Sequence, residues 1–216
     1  MVRLQCRYRG HRVRRHRSLK VRQIAQRLSR LKAPVNLRLA YRTATALEIL
    51  ANSTMLSEIM LALQALEVAT RWSAVCSRQL VQAGATSTLF TLIRTCNRSL
   101  PHMKVLQLIL QTLLNVCHHT GWDDSCPDGV DVCVDLVQMF RDKPAVFGWA
   151  VSLLEAAVHN SSVARAWCGS HETLKRLQAV LALCVRKIRV GGGLRDPAMK
   201  KSVKTLQRIV RFISGE

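Results

Sequence analysis

The chain has 216 residues, enough to bury a sizeable core, and length alone admits one domain or one domain with an appendage. Hydrophobic residues make up 49% and aromatics only 5%, with Leu, Ala and Val dominant. That usage belongs to packed helices and excludes strand-rich folds, so the expected class is all-α. The formal charge of +20 is unevenly spread: every charged residue before Glu48 is Lys or Arg, and from Arg186 to Arg211 Asp196 is the only acid. Both ends should attract acidic partners, whether a protein, a nucleic acid or the acidic tails of a polymer surface.

In chain order, Val2 to Leu31 holds no proline, and Val21, Ile24, Leu28 and Leu31 follow three- and four-residue steps. This spacing predicts a long basic helix with a narrow apolar seam, ended or bent at Pro34. The segment is too rich in arginine and too poor in apolar residues for a secretory signal, though its acid-free bias is shared with organelle transit peptides. A helix over Asn36–Asn52 presents Leu37, Leu39, Ala40, Ala44, Leu47 and Leu50, and another over Met55–Arg71 presents Leu56, Ile59, Leu63, Leu66 and Val68. Ser73 starts a shorter helix closed by Gly84, and Thr86 or Ser87 caps Leu89–Cys96. Leu100 or Pro101 opens a long helix to His118. Beyond a polar loop, Gly121–Gly129, come helices at Val130–Phe140, Ala145–His159, Ser162–Cys168 and Glu172–Ile188. Gly191, Gly192 and Gly193 form a linker, and Asp196 with Pro197 enters a final basic amphipathic helix, Ala198–Phe212. The organisation read from this is a basic helix (1–34), a helical-repeat domain (35–190) and a glycine linker with a C-terminal basic helix (191–216).

The longest apolar stretch, Val105 to Cys117, is interrupted by Gln107, Gln111 and Asn115 and falls short of the roughly 20 residues that a bilayer requires. No membrane span is expected. The 8 cysteines are scattered without a CxxC pair, which reads as reduced, buried thiols. Cys117, His118, His119, Cys126 and Cys133 lie near one another in sequence, but their spacing fits no common zinc pattern. Cys76, His102 and His159 have no acid, glycine loop or nucleophile elbow to frame them. Neither a metal, a cofactor nor an enzymatic activity is expected.

Two patterns carry more information. From Ala62 to Cys117, a helix ending in a small turn, an apolar helix closed by Gly84 and a long helix ending Leu113-Leu114-Asn115 form one repeat unit. A degenerate second unit runs from Val130 through Asn160 to Cys184, with Trp167, Cys168 and Gly169 at the turn. The other pattern is LQCRYRGHRVR, Leu4–Arg14, which matches apolar-Gln-x-x-x-Arg-Gly-x-x-x-Arg at each fixed position. It is the core of the IQ motif, a helix that places an apolar anchor in a hydrophobic groove while its cations meet an acidic rim.

The Ala62–Cys117 unit resembles an armadillo repeat, in which the third helix lines a groove and its asparagine, here Asn115, bonds a bound peptide's backbone. Gln111 stands where armadillo import receptors carry tryptophan. The IQ resemblance implies a calmodulin or calmodulin-like light-chain partner. In it Leu4 is the anchor, with Tyr8 and Val13 beside it; Gln5 bonds within one lobe, Arg9 pairs with its acids, Gly10 admits the second lobe and Arg14 pairs with that lobe. Arg17 occupies the trailing position that is usually apolar. The run SRQLVQAGATSTLFTLIRTCNRSLPHMKVLQLILQTLLNV, and LIRTCNRSLP above all, resembles the C-terminal region of the abnormal spindle family of spindle-pole proteins. That resemblance implies an all-α fold, a basic IQ helix followed by an armadillo or HEAT-like right-handed repeat. It also implies a scaffold role in mitotic spindle organisation, at the spindle pole or centrosome and in the interphase nucleus, with an unidentified spindle-pole or microtubule-associated partner. Arg94, Asn97, Arg98 and Lys104, where the resemblance is densest, join Asn115 as the expected partner surface. The alternative is a basic repeat protein that binds nucleic acid or another polyanion, although the aromatics and base-reading motifs of specific recognition are missing.

Overall fold

The computed structural model describes residues 19–20, 22–23, 26–27, 38–126, 128–189 and 196–215. The chain divides into two units, Met1–Arg38 and Leu39–Glu216. In the first, Leu19, Lys20, Arg22, Gln23, Gln26 and Arg27 are helical and exposed. The second contains ten helices among the described residues and no strand. They are α1 (Leu39–Asn52), α2 (Leu56–Trp72), α3 (Ala74–Gln82), α4 (Ala85–Thr95), α5 (Leu100–Thr120), α6 (Gly129–Met139), α7 (Pro144–Asn160), α8 (Ser162–Cys168), α9 (His171–Arg189) and α10 (Pro197–Ser214).

Local chemistry sets most of these limits. Pro101, Pro144 and Pro197 lie in the first turns of α5, α7 and α10, where a missing N–H costs no helical bond. Ser73 and Ser161 cap the short helices α3 and α8 by accepting from the N–H of Cys76 at 3.3 Å and of Ala164 at 3.0 Å. Asp196 does the same for α10 through Ala198 N at 2.9 Å. Gly84 has φ 67° and ψ 13°, the left-handed geometry that glycine adopts without penalty. It turns the chain so sharply that α4 begins at the next residue, and Thr86, expected as a cap, is instead buried inside the helix at 4% exposure.

The helices stack in two rows. In one, α2, α5, α7 and α10 each pack against the next; in the other, α1 meets α3 and α4, α4 meets α6, and α6 meets α9. Contacts of α1 with α2, α3 and α4 with α5, α6 with α7, and α9 with α10 join the rows. This is an all-α helical repeat in which each unit buries its apolar face against its neighbours. Its units are α1–α2, α3–α5, α6–α7 and α8–α10. α10 packs against α7 and α9, as α5 packs against α2, α3 and α4. α10 buries Met199, Val203, Leu206 and Ile209 in the same core.

That core is centred on Leu63, Leu66, Leu106, Ile109, Leu110, Phe147, Leu153 and Leu154, all fully buried. Each such side chain contributes about 1.5–3 kcal/mol by leaving water. Buried Thr70 and Thr112 donate their hydroxyls to the carbonyls of Leu66 and Leu108, each at 2.8 Å, so neither leaves a polar group unsatisfied.

Candidate functional site

The IQ residues Leu4, Gln5, Tyr8, Arg9, Gly10, Val13 and Arg14 lie outside the described residues. The turn joining α4 to α5 is described throughout. The side-chain oxygen of Asn97 accepts from Ser99 N at 2.9 Å, and the N–H of Asn97 donates to His102 Nδ1 at 3.0 Å. Asn97 thus ties the turn to itself and to the first residues of α5.

Two arginines of this region reach into the next unit. Arg94 Nη2 meets Asp128 Oδ2 at 3.2 Å, before α6. Arg98 Nη2 meets both carboxylate oxygens of Asp142, at 2.5 and 2.7 Å, in the α6–α7 turn, and its guanidinium lies over the Phe140 ring, 5.9 Å from the centroid. Burial alone would raise the Asp142 carboxyl; the N–H of its own residue, the hydrogen bond and charge of Arg98, and the charge of Lys143 outweigh it and hold the group below its ordinary value. Lys104 is exposed and has no ion pair among the described residues.

Asn115 sits on α5 at the seam with α2. Its Nδ2 donates to Glu67 O at 3.3 Å and to Thr70 Oγ1 at 3.4 Å, so part of its bonding capacity is spent between the two helices. Asn160 Nδ2 reaches Cys117 Sγ at 3.5 Å across the following seam, between α7 and α5.

A feature absent from the expected partner surface is an apolar stripe on α2. Leu61, Val68 and Trp72 are 65%, 44% and 75% exposed, and Val75 at the start of α3 is 59% exposed. The sequence places Val68 with Leu56, Ile59, Leu63 and Leu66 on one inward face, but α5 and α1 cover only the Leu63–Leu66 side. The available signal was the excess of apolar residues on α2, since Leu61 and Trp72 do not fit a single buried stripe.

Among the described residues Cys76, Cys117, Cys126, Cys133, Cys168 and Cys184 are buried free thiols, and Cys96 is half-buried. Burial pushes the Cys96 thiol up to about 11 and that of Cys168 to about 12, the latter also raised by the charge of Asp131. Burial raises Cys133 further, and it raises Cys117 against the opposing hydrogen bond from Asn160. His118 and His119 are exposed, whereas Cys117 and Cys133 face the core. Among the described residues, no three His, Cys, Asp or Glu side chains are placed to hold a metal ion. No helix of the described residues is long and apolar enough to cross a membrane.

Comparison with known proteins places this helical chain. An abnormal spindle-like microcephaly-associated protein homolog of Canis lupus familiaris is 35% identical over 158 residues, covering 68% of this chain. The Homo sapiens protein of that name is 42% identical over 106 residues, or 48% of this chain, and the Colobus guereza homolog is 45% identical over 107 residues, again 48%. The chain belongs to the abnormal spindle family. It spans only 5%, 3% and 3% of those three relatives, respectively. No protein-family model and no solved structure matches it.

Charge in this abnormal spindle domain is sorted by the repeat. Asp128, Asp135, Asp142 and Glu155 each pair with an arginine from another part of the stack: Arg94, Arg176, Arg98 and Arg208. Asp124 accepts from the Ser161 hydroxyl at 2.5 Å. The acids are thus largely occupied internally. Lys104, Arg141, Lys175, Lys187, Lys200, Lys201 and Lys204 have no ion pair among the described residues, so the outward field of the domain is positive.

Proposed function

We propose that this chain is a non-catalytic scaffold module of the mitotic spindle, acting at the spindle pole or centrosome within the cytoskeleton, and in the nucleus at interphase. In this reading the IQ helix binds calmodulin or a calmodulin-like light chain, and an armadillo-like surface around Arg94, Asn97, Arg98, Lys104 and Asn115 binds a spindle-pole or microtubule-associated protein. The observation that carries it is the kinship with abnormal spindle-like proteins, at 35–45% identity in the relatives described above. The two-row helical repeat supports the scaffold half, because such stacks expose extended surfaces without enclosing a reaction chamber. The IQ match at Leu4, Gln5, Arg9, Gly10 and Arg14 supports the calmodulin half.

A pull-down with calcium-free calmodulin tests the IQ half, comparing the parent chain with a Gln5→Ala, Arg9→Ala double variant. The parent should be retained and the variant lost; equal retention, or none for either, would remove calmodulin from the proposal. The unpaired Lys200, Lys201 and Lys204 on α10 favour the second reading, a polyanion-binding protein. Binding to any polyanion that collapses between low and physiological salt, with no dependence on Gln5, would support it.

A further inference from the structure

We propose that the groove between α6 and α9 binds an acidic, partly apolar segment of a partner protein. Two adjoining cavities, of about 500 and about 280 Å³, share Gln138 and Arg141 and run along α9 between Lys175 and Lys187. At a rise of about 1.5 Å per residue this is a track of roughly 18 Å, the length of three helical turns of ligand.

The acids that face this track from α6 and the α6–α7 turn are neutralised. Asp135 pairs with Arg176, and a single nitrogen of Arg98, Nη2, meets both carboxylate oxygens of Asp142. Arg141, Lys175 and Lys187 have no ion pair among the described residues, and Glu172 at one end is the remaining acid of the lining. Arg141, in the α6–α7 turn, and Lys187, on α9, both line the first cavity, and both charges offset part of the rise that burial imposes on the Cys184 thiol. Met139 and Leu183 face solvent at 49% and 45% exposure, on α6 and α9, over a floor that includes buried Val180. Cations alternating with exposed apolar side chains in a concave track suit a ligand that brings carboxylates and one or two apolar anchors. Among the described residues no aromatic side chain lines either cavity, so this lining offers no platform on which nucleic-acid bases stack. The site shares only Arg98 with the α4–α5 turn and depends on neither calmodulin nor a spindle location.

The test is fluorescence anisotropy of the full chain with a fluorescein-labelled amphipathic peptide of Glu, Ala and Leu, its Lys, Ala and Leu counterpart, and a dT oligonucleotide as competitor. The acidic peptide should bind and the basic one should not. Arg141→Glu with Lys187→Glu should weaken binding about tenfold or more, and Leu183→Ser several-fold, while Lys201→Glu with Lys204→Glu on α10 changes it less than about twofold. Circular dichroism and melting temperature establish that each variant keeps the fold, and Leu183→Ser reads the groove even where the double reversal does not fold. The proposal is overturned by absence of acidic-peptide binding, by native variants that bind undiminished, or by an equal loss on α10. Displacement by the oligonucleotide as readily as by unlabelled peptide would overturn it too, assigning the groove to polyanions in general.

Discussion

Replacing Arg98 and Asp142 by alanine, singly and together, should reveal a coupling of about 0.5–1 kcal/mol in urea unfolding at neutral pH. The figure follows from the geometry. One guanidinium nitrogen, Nη2, meets the two carboxylate oxygens at 2.5 and 2.7 Å, a short charge-assisted contact that favours the upper end of the range for surface pairs. The side chains are 48% and 45% exposed, so solvent screening keeps the pair well below the strength of a buried one. Arg98→Ala should cost more than Asp142→Ala, by about 0.5 kcal/mol, because it also removes the cation above the Phe140 ring. The folded-state value of the Asp142 carboxyl is depressed. Its contribution is therefore present above the unfolded pKa of about 3.9 and is lost as pH falls through the lower folded value. The same cycle repeated near pH ~2, and in ~1 M salt at neutral pH, should show the coupling shrink in both. A coupling that is zero at neutral pH, or that survives acid and salt unchanged, would refute the view that Arg98 latches one unit to the next through this carboxylate.

Other substitutions separate core from surface. Phe147→Ala, at 0% exposure, should destabilise by about 3–5 kcal/mol, whereas Leu61→Ala, at 65% exposure, should stay within about 0.5 kcal/mol; thermal melts of the two variants measure the contrast. Asn115→Ala removes two long hydrogen bonds to α2 and should cost about 0.5–1 kcal/mol, since Thr70 Oγ1 keeps its own bond to Leu66 O. A loss of stability with unchanged partner binding would assign Asn115 to the α2–α5 seam alone. Cys133 and Cys168, both at 0% exposure with thiols raised by burial, should react with a disulfide reagent at mildly alkaline pH only as fast as the domain opens. Mass spectrometry of trapped adducts would detect any faster labelling.

Much of the helical order was legible in the residues themselves. Proline at the first turn, serine and aspartate caps, the glycine turn and apolar spacing act within one or two turns of chain, so Pro101, Pro144, Pro197, Ser73 and Gly84 mark boundaries that any neighbour would leave in place. The kinship with abnormal spindle proteins was equally readable, from the run around LIRTCNRSLP. The candidate partner surface was legible only in part. Arg94 and Arg98 stand out as a basic turn, but the carboxylates they meet lie 34 and 44 residues away, and those pairings exist only once α4 and α6 are stacked. Asn115 reads as a groove residue, and its bonds to Glu67 O and Thr70 Oγ1 form only where α2 lies beside it. Val68 reads as core, but packing decides which side of α2 is covered and leaves it exposed beside Leu61 and Trp72. The groove between α6 and α9 joins residues from Arg98 to Lys187, cations that local pattern cannot sort into paired and unpaired. Periodicity and capping are short-range and survive in one dimension. Which charges are neutralised, and which apolar faces are left to solvent, depends on contacts between distant helices, and here only the tertiary structure decides them.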